Sequence, residues 1–256
     1  MKELFLNVRE NVELRKGVVK MRLFSAGLPE FKPGQFINIS AGSFDGILLR
    51  RPISVFKHDG EAKTIEIVFE IKGRGTTFLS RLKGGDLPAS LFAGNGFTVP
   101  DGVKSVALIG GGLGSPPLYS VIEKHRAKGV KFYTYLGFAS ESKTILTDDF
   151  AAVSEKLTVT TDDGSYGAGE KGFVTDALKR DVYAGAVKPD LILACGPPPM
   201  FGALKALKLN TPTFISVEAR MGCGIGACYA CACATVAGNR RVCTDGPVFK
   251  LEEVIL

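Results

Sequence analysis

Val19, Met21 and Leu23 alternate with Lys20 and Arg22, and Ile65, Ile67, Phe69 and Ile71 alternate with Glu66, Val68 and Glu70. A period of two turns one face of each segment inward and the other outward, which predicts β-strands. Residues 35–40 and 47–49 read as further strands, with Pro33-Gly34, Asp45-Gly46 and Asp59-Gly60 marking turns. Several short strands at this spacing predict an antiparallel barrel over residues 1–100. From Ser105 the pattern changes. Residues 105–110 form a continuous apolar run that ends in glycines, after which Leu118, Val121, Ile122 and His125 recur at the spacing of one helical face. Strands at 131–136, 157–161 and 190–195 follow, the last leading into a helix that turns Met200, Phe201, Leu204 and Leu207 inward. Alternating strands and helices predict a parallel sheet with covering helices over residues 101–215. The expected fold is multidomain α+β: an antiparallel β-barrel, an α/β parallel-sheet nucleotide-binding domain, and a small C-terminal module over residues 216–256.

That last module carries the most specific chemistry. Cys223, Cys228 and Cys231 stand at C-x4-C-x2-C spacing, and Cys243 lies further on. This is the plant-type ferredoxin spacing, in which four thiolates hold a [2Fe-2S] cluster. Gly224 and Gly226, between the first two ligands, suit a loop whose backbone N–H groups approach sulfur closely. A structural zinc site and disulfides are the competing readings, although zinc ordinarily uses two short cysteine pairs rather than three cysteines in one loop. Cys233 reads as a half-buried apolar residue on the strand that leaves the cluster, and Cys195 lies too far upstream to be a ligand.

Two glycine-rich turns suit phosphates, and a third turn lies at a strand end where ligands bind. Arg51-Pro52-Ile53-Ser54 is followed by Gly73-Arg74-Gly75-Thr76, which opens a short helix and exposes backbone donors. Arg51 is a charged donor suited to a pyrophosphate. Gly110 to Gly114 and Cys195-Gly196-Pro197 both lie at the carboxyl ends of expected strands, where open parallel sheets bind ligands. Pro116 and Pro117 suit a first helical turn. Asp162 and Asp163 occupy a turn that faces an adenine ribose on this reading. By itself Cys195 reads as a small residue closing a buried strand.

Composition narrows the class. In 256 residues, 32 basic against 26 acidic side chains give +6, yet Arg50-Arg51 and Arg240-Arg241 are only pairs and no basic arm stands out. The excess suits phosphate-bearing cofactors or an acidic partner rather than nucleic acid. The first ten residues lack the apolar core of a signal peptide, and no apolar run approaches a membrane span. With the cysteines gathered mainly at one site, a soluble cytoplasmic protein is expected. There are two histidines and no Gly-x-Ser-x-Gly or His-Glu-x-x-His motif, which is consistent with electron transfer at an iron–sulfur cluster.

The pairing of Arg51 to Ser54 with Gly73 to Thr76, ahead of Gly94-Asn95-Gly96-Phe97, resembles the flavin barrel of the ferredoxin–NADP reductase superfamily. Gly110-Gly111-Gly112-Leu113-Gly114 with Cys195-Gly196-Pro197 resembles its pyridine-nucleotide domain, which implies a Cys195 thiol beside the nicotinamide and the hydride path. Adding Met221-Gly222-Cys223 through Cys231, and Val242-Cys243-Thr244-Asp245-Gly246-Pro247, the whole chain resembles the electron-transfer subunits of the type B, NAD-linked dihydroorotate dehydrogenase family. Residues 91–93 depart from the Gly-Pro often found there, and the 231–243 loop is short.

The resemblance implies FAD held by Arg51, Pro52, Ile53, Ser54, Val68, Phe69, Glu70, Gly75 and Thr76. It implies NAD as substrate at Gly111, Gly112, Gly114, Cys195, Gly196 and Pro197, and a [2Fe-2S] cluster on Cys223, Cys228, Cys231 and Cys243. It also implies a partner, an FMN-containing catalytic subunit that oxidises dihydroorotate in pyrimidine biosynthesis, in a heterotetramer of two of each chain. Electrons would pass through cluster and FAD to NAD+. Small subunits of NAD(P)H-dependent ferredoxin oxidoreductase or sulfide dehydrogenase share the three modules but often carry Asp at the position of Cys223. A zinc-bearing binding module without enzymatic activity is the alternative of another class.

Overall fold

The computed structural model describes residues 3–41 and 46–256. Six strands between Glu3 and Ala93 close a barrel: β1 (Glu3–Arg15), β2 (Val18–Phe24), β3 (Phe36–Ile39), β4 (Arg51–Asp59), β5 (Thr64–Glu70) and, after helix α1 (Arg74–Ser80), β6 (Asp86–Ala93). Their order is β1-β2-β5-β4-β3-β6, every pairing is antiparallel, and β6 returns to β1. The period of two is realised directly: Val19, Met21, Leu23, Ile65, Ile67 and Phe69 fill the interior. Val68, on the opposite face of β5, packs toward the next domain instead. Residues 47–49 are not a strand. Closure leaves no free barrel edge for them to pair with, and while Ile47 is buried, Leu48 is 89% exposed. Asp45, from the expected Asp45-Gly46 turn, lies outside the described residues, as do the side chains of Leu91 and Phe92.

The second domain runs β7 (Ser105–Gly111), α2 (Pro116–His125), β8 (Lys131–Phe138), α3 (Thr147–Ala151), β9 (Lys156–Thr161), β10 (Glu170–Lys171), α4 (Val174–Tyr183), β11 (Leu191–Cys195), α5 (Pro198–Ala206) and β12 (Thr213–Ser216). The sheet order is β10-β9-β8-β7-β11-β12, all parallel, with one more strand from the end of the chain, β15 (Val248–Lys250), beyond β12. The two prolines do occupy the first turn of α2, and Leu118, Val121, Ile122 and His125 are buried along one of its faces. Helix α2 also lies on β4, so the barrel and the sheet share a wall; there Lys57 reaches Asp149 at 3.3 Å and stacks over Tyr119.

The remaining segment forms a hairpin, β13 (Ala232–Thr235) with β14 (Gly238–Arg241), and then β15 (Val248–Lys250). Strand β15 adds antiparallel to β12, so the end of the chain completes the nucleotide sheet. The cysteine-bearing loop is thereby anchored at both ends, by β12 before it and by β15 after it.

Candidate functional site: two adjoining cavities and a cysteine loop

The cysteine loop leaves β12 and turns on residues with left-handed backbone, Gly224 (φ +67°), Gly226 (φ +83°) and Tyr229 (φ +57°). These turns aim amides at sulfur. Ile225, Ala227 and Cys228 donate their N–H groups to Cys223 Sγ at 3.3–3.4 Å, and Cys223 N–H donates to Cys228 Sγ at 3.3 Å. Cys243 N–H donates to Cys231 Sγ at 3.5 Å. Amide donation favours thiolate, and it lowers the Cys223 pKa to about 6. Burial acts the other way on Cys243, pushing its thiol up to about 11.

The sulfurs therefore fall into two pairs, Cys223 with Cys228 and Cys231 with Cys243. Among the described residues no three His, Cys, Asp or Glu side chains gather about one point as a single metal ion needs. A two-iron cluster takes two thiolates on each iron, whereas a structural zinc takes four about one centre, so the donor set fits iron–sulfur better than zinc. Arg241 joins the two halves of the site: its guanidinium donates to Gly226 O at 3.0 Å and pairs with Asp245 at 3.2 Å. Cys233, on β13, is half-buried and stands outside these pairs.

A cavity of about 260 Å³ lies where the barrel meets the sheet and the cysteine loop. It is lined by Arg51, Pro52, Ile53 and Ser54 of β4, Val68, Phe69 and Glu70 of β5, and Thr76 of α1. Of the residues expected at FAD, Gly75 alone does not line it. A Cβ at Gly75 would collide with the Arg51 guanidinium, with Cζ at 2.7 Å, so the missing side chain is what lets Arg51 lie there. Arg51 otherwise donates to the carbonyl of Leu49. The opposite wall comes from distant sequence, Leu113 and Pro116 from the glycine turn and Met221 and Pro247 from either side of the cysteine loop. Apolar walls from Phe36, Ile53, Val68, Phe69 and Leu113 together with the Arg51 guanidinium suit a flavin ring with a phosphate tail.

A second cavity, of about 840 Å³, opens at the carboxyl ends of β7, β8, β9 and β11. Gly111, Gly112, Gly114, Gly196 and Pro197 line it. Cys195 does not: its thiol is 2% exposed, and burial pushes its pKa up, away from thiolate. The close approach belongs to its carbonyl. A Cβ at Gly114 would collide with Cys195 O and stand 2.5 Å from its carbonyl carbon. Asp162 lines the cavity, while Asp163 is exposed and accepts from Ser165.

Glu70, Lys72, Leu113 and Glu218 line both cavities. Lys72 and Glu218 carry no sequence motif; only the sum of barrel, glycine turn and chain beyond β12 places them beside Glu70 and Leu113.

Comparison with known proteins follows these divisions. The family model for the iron–sulfur cluster binding domain of dihydroorotate dehydrogenase B matches residues 218–255, and that for the oxidoreductase NAD-binding domain matches residues 108–206. The electron transfer subunit of dihydroorotate dehydrogenase B (NAD(+)) from Bacillus pumilus is 38% identical over 263 residues, covering 100% of this chain and 99% of that protein. The corresponding subunit from Fusobacterium nucleatum is 38% identical over 253 residues, with 96% of each chain covered. Among solved structures, an NADH-dependent reduced ferredoxin-NADP oxidoreductase superposes with a TM-score of 0.85 at 29% identity, covering 98% of this chain and 89% of that one. A ferredoxin NADP+ reductase from Neisseria gonorrhoeae with bound FAD and NADP shares the fold at a TM-score of 0.69 and 18% identity, covering 81% of this chain and 90% of that one. Among the described residues no helix is long and apolar enough to cross a membrane.

Proposed function

This chain belongs to the family of electron transfer subunits of dihydroorotate dehydrogenase B (NAD(+)), and from that premise we propose that it links a catalytic partner's oxidation of dihydroorotate to the reduction of NAD+. The observation that carries the reading is the shared walls of the 260 Å³ cavity. It meets the nucleotide cavity at Glu70, Lys72, Leu113 and Glu218, and it meets the cysteine loop at Met221 and Pro247. A flavin held there would lie between the nucleotide cavity and the cysteine loop. When bound, the iron–sulfur cluster supplies single-electron chemistry, the flavin both one- and two-electron chemistry, and the nicotinamide hydride acceptance.

The chain's own residues position and insulate. Arg51 would neutralise the flavin's pyrophosphate, and Pro52 to Ser54 and Val68 to Glu70 would hold the cofactor in the cavity they line. Gly111, Gly112 and Gly114 admit the dinucleotide's phosphates close to the backbone. Cys223, Cys228, Cys231 and Cys243 hold the iron. Asp162, which lines the nucleotide cavity, would accept from the ribose hydroxyls and repel a 2′-phosphate, which favours NAD over NADP. The partner is an FMN-containing subunit, in a cytoplasmic heterotetramer of two of each chain, and it docks over the exposed side chains of Ile225 and Tyr229 on the cysteine loop.

Mixing the purified chain with its FMN-containing partner tests the reading. Dihydroorotate-dependent NADH formation is expected from the mixture and from neither chain alone; turnover by this chain alone, or none from the mixture, overturns it.

A further inference from the structure

Strand β3 alternates between two cores. Ile37 and Ile39 point into the barrel, while Phe36 belongs to the apolar cluster that contains Cys231, Cys243 and Phe249, and it also walls the 260 Å³ cavity. Asn38 follows Phe36 on the same outward face. It is 2% exposed, its Nδ2 donates to the carbonyl of Cys223 at 3.4 Å, and its Oδ1 is buried without a partner.

Three further features converge on that amide. In the β3–β4 register Asn38 stands opposite Pro52, which lines the cavity. Gly224, next to Cys223, has φ +67°, and a Cβ there would collide with Asn38 Nδ2 and stand 3.1 Å from Cγ. Asn38 and the cysteine loop therefore fit only with glycine at 224. Finally, Oδ1 is buried without a partner, so what an amide supplies at this position is the donor to the Cys223 carbonyl.

We propose that Asn38 is a positioning residue for electron exchange between flavin and cluster. It seats the Cys223 loop on the strand pair that walls the flavin cavity and, with Phe36 beside it, fixes their separation. The inference rests on the ligand and flavin assignments proposed above. In the reverse direction, oxidation of NADH delivers two electrons as a hydride to the flavin, and these leave for the cluster one at a time, with release of the proton.

The test uses the holoprotein with NADH under anaerobic conditions, following flavin bleaching and then cluster reduction, with iron and flavin content measured for each protein. Asn38→Asp keeps the shape but, ionised, only accepts; Asn38→Leu fills the space without polarity. Both are expected to retain iron, to slow cluster reduction relative to flavin reduction by about tenfold, a change readily resolved in a barrier comparison, and to shift the electron paramagnetic resonance spectrum of the reduced cluster. An unchanged rate ratio and spectrum at full iron and flavin content overturn the inference and leave the proposed function standing. Loss of iron from both variants would mark Asn38 as merely structural and also overturns it. A parent protein without iron or flavin sinks the proposed function, and this inference with it.

Discussion

Asn95 and Val248 pair in both directions: Asn95 Nδ2 donates to Val248 O at 2.8 Å, and Val248 N–H donates to Asn95 Oδ1 at 3.1 Å. A side chain from the end of the barrel thus acts as a strand partner for the chain that follows the cysteine loop. The backbone adds to it, with Asn95 N–H donating to Gly246 O at 2.7 Å. Next to it, Gly94 leaves room for the turn, since a Cβ there would collide with the Pro247 ring.

Asn95→Ala strips both partners from Val248. Each orphaned backbone group costs about 1–3 kcal/mol where water cannot reach it. The thermal midpoint is expected to fall by several degrees, and iron should be lost on heating before the barrel unfolds. Parallel melts followed by cluster absorbance and by far-ultraviolet circular dichroism check the order; coincident, unshifted transitions would contradict it.

Gly75→Ala places a methyl where the Arg51 guanidinium lies. Arg51 is flexible and will move, so the fold should survive while FAD affinity falls by about tenfold, the equivalent of about 1.4 kcal/mol of lost phosphate contact. Fluorescence of released flavin measures it. Arg51→Ala should give a loss at least as large.

Gly114→Ala meets backbone rather than a flexible tip, because its neighbour is the Cys195 carbonyl. Overpacking of this kind costs about 1–3 kcal/mol. The turn must shift, so KM for NADH should rise while the FAD content stays at the parental level, a split that steady-state kinetics and flavin absorbance resolve.

Much of this was legible in the chain itself. The period of two found β2 and β5, the helical spacing found α2, and the C-x4-C-x2-C spacing found a loop whose sulfurs do pair. The misses share one cause. Strand β15 has three residues and no period; Asn95 acts through a residue 153 positions away, and Asn38 through one 185 positions away. Such partners are set by how the barrel and sheet pack, which no local pattern encodes. Residues 47–49 fail in the opposite sense: a locally apolar triplet finds no edge to join.

Cys228→Ser should abolish iron retention while NADH oxidation by artificial acceptors through the flavin persists. Cys233→Ser should leave iron content unchanged, since Cys233 stands outside the two sulfur pairs. Iron analysis of the two variants side by side separates ligand from bystander.

Asp181 provides a pH signature. It is 4% exposed, and burial alone would raise its pKa, but hydrogen bonds from Lys156 at 2.7 Å, Arg180 at 3.0 Å and Tyr135 at 3.0 Å outweigh that and lower it. A depressed folded-state value contributes stability that is present above the unfolded carboxylate's pKa of about 3.9 and lost as pH falls through the folded value. Urea unfolding should show stability declining below about pH 4, and Asp181→Asn should be less stable at neutral pH with a flatter acid limb. An acid limb of parental slope in the variant would contradict the assignment.

The central claim is that one chain carries iron–sulfur and flavin side by side. Anaerobically purified protein should contain about two iron and two sulfide per chain with one FAD. On addition of NADH, flavin absorbance should bleach and an electron paramagnetic resonance signal from a reduced [2Fe-2S] cluster should then appear. Colourless protein with stoichiometric zinc, or a flavin that NADH reduces with no cluster signal following, would contradict it.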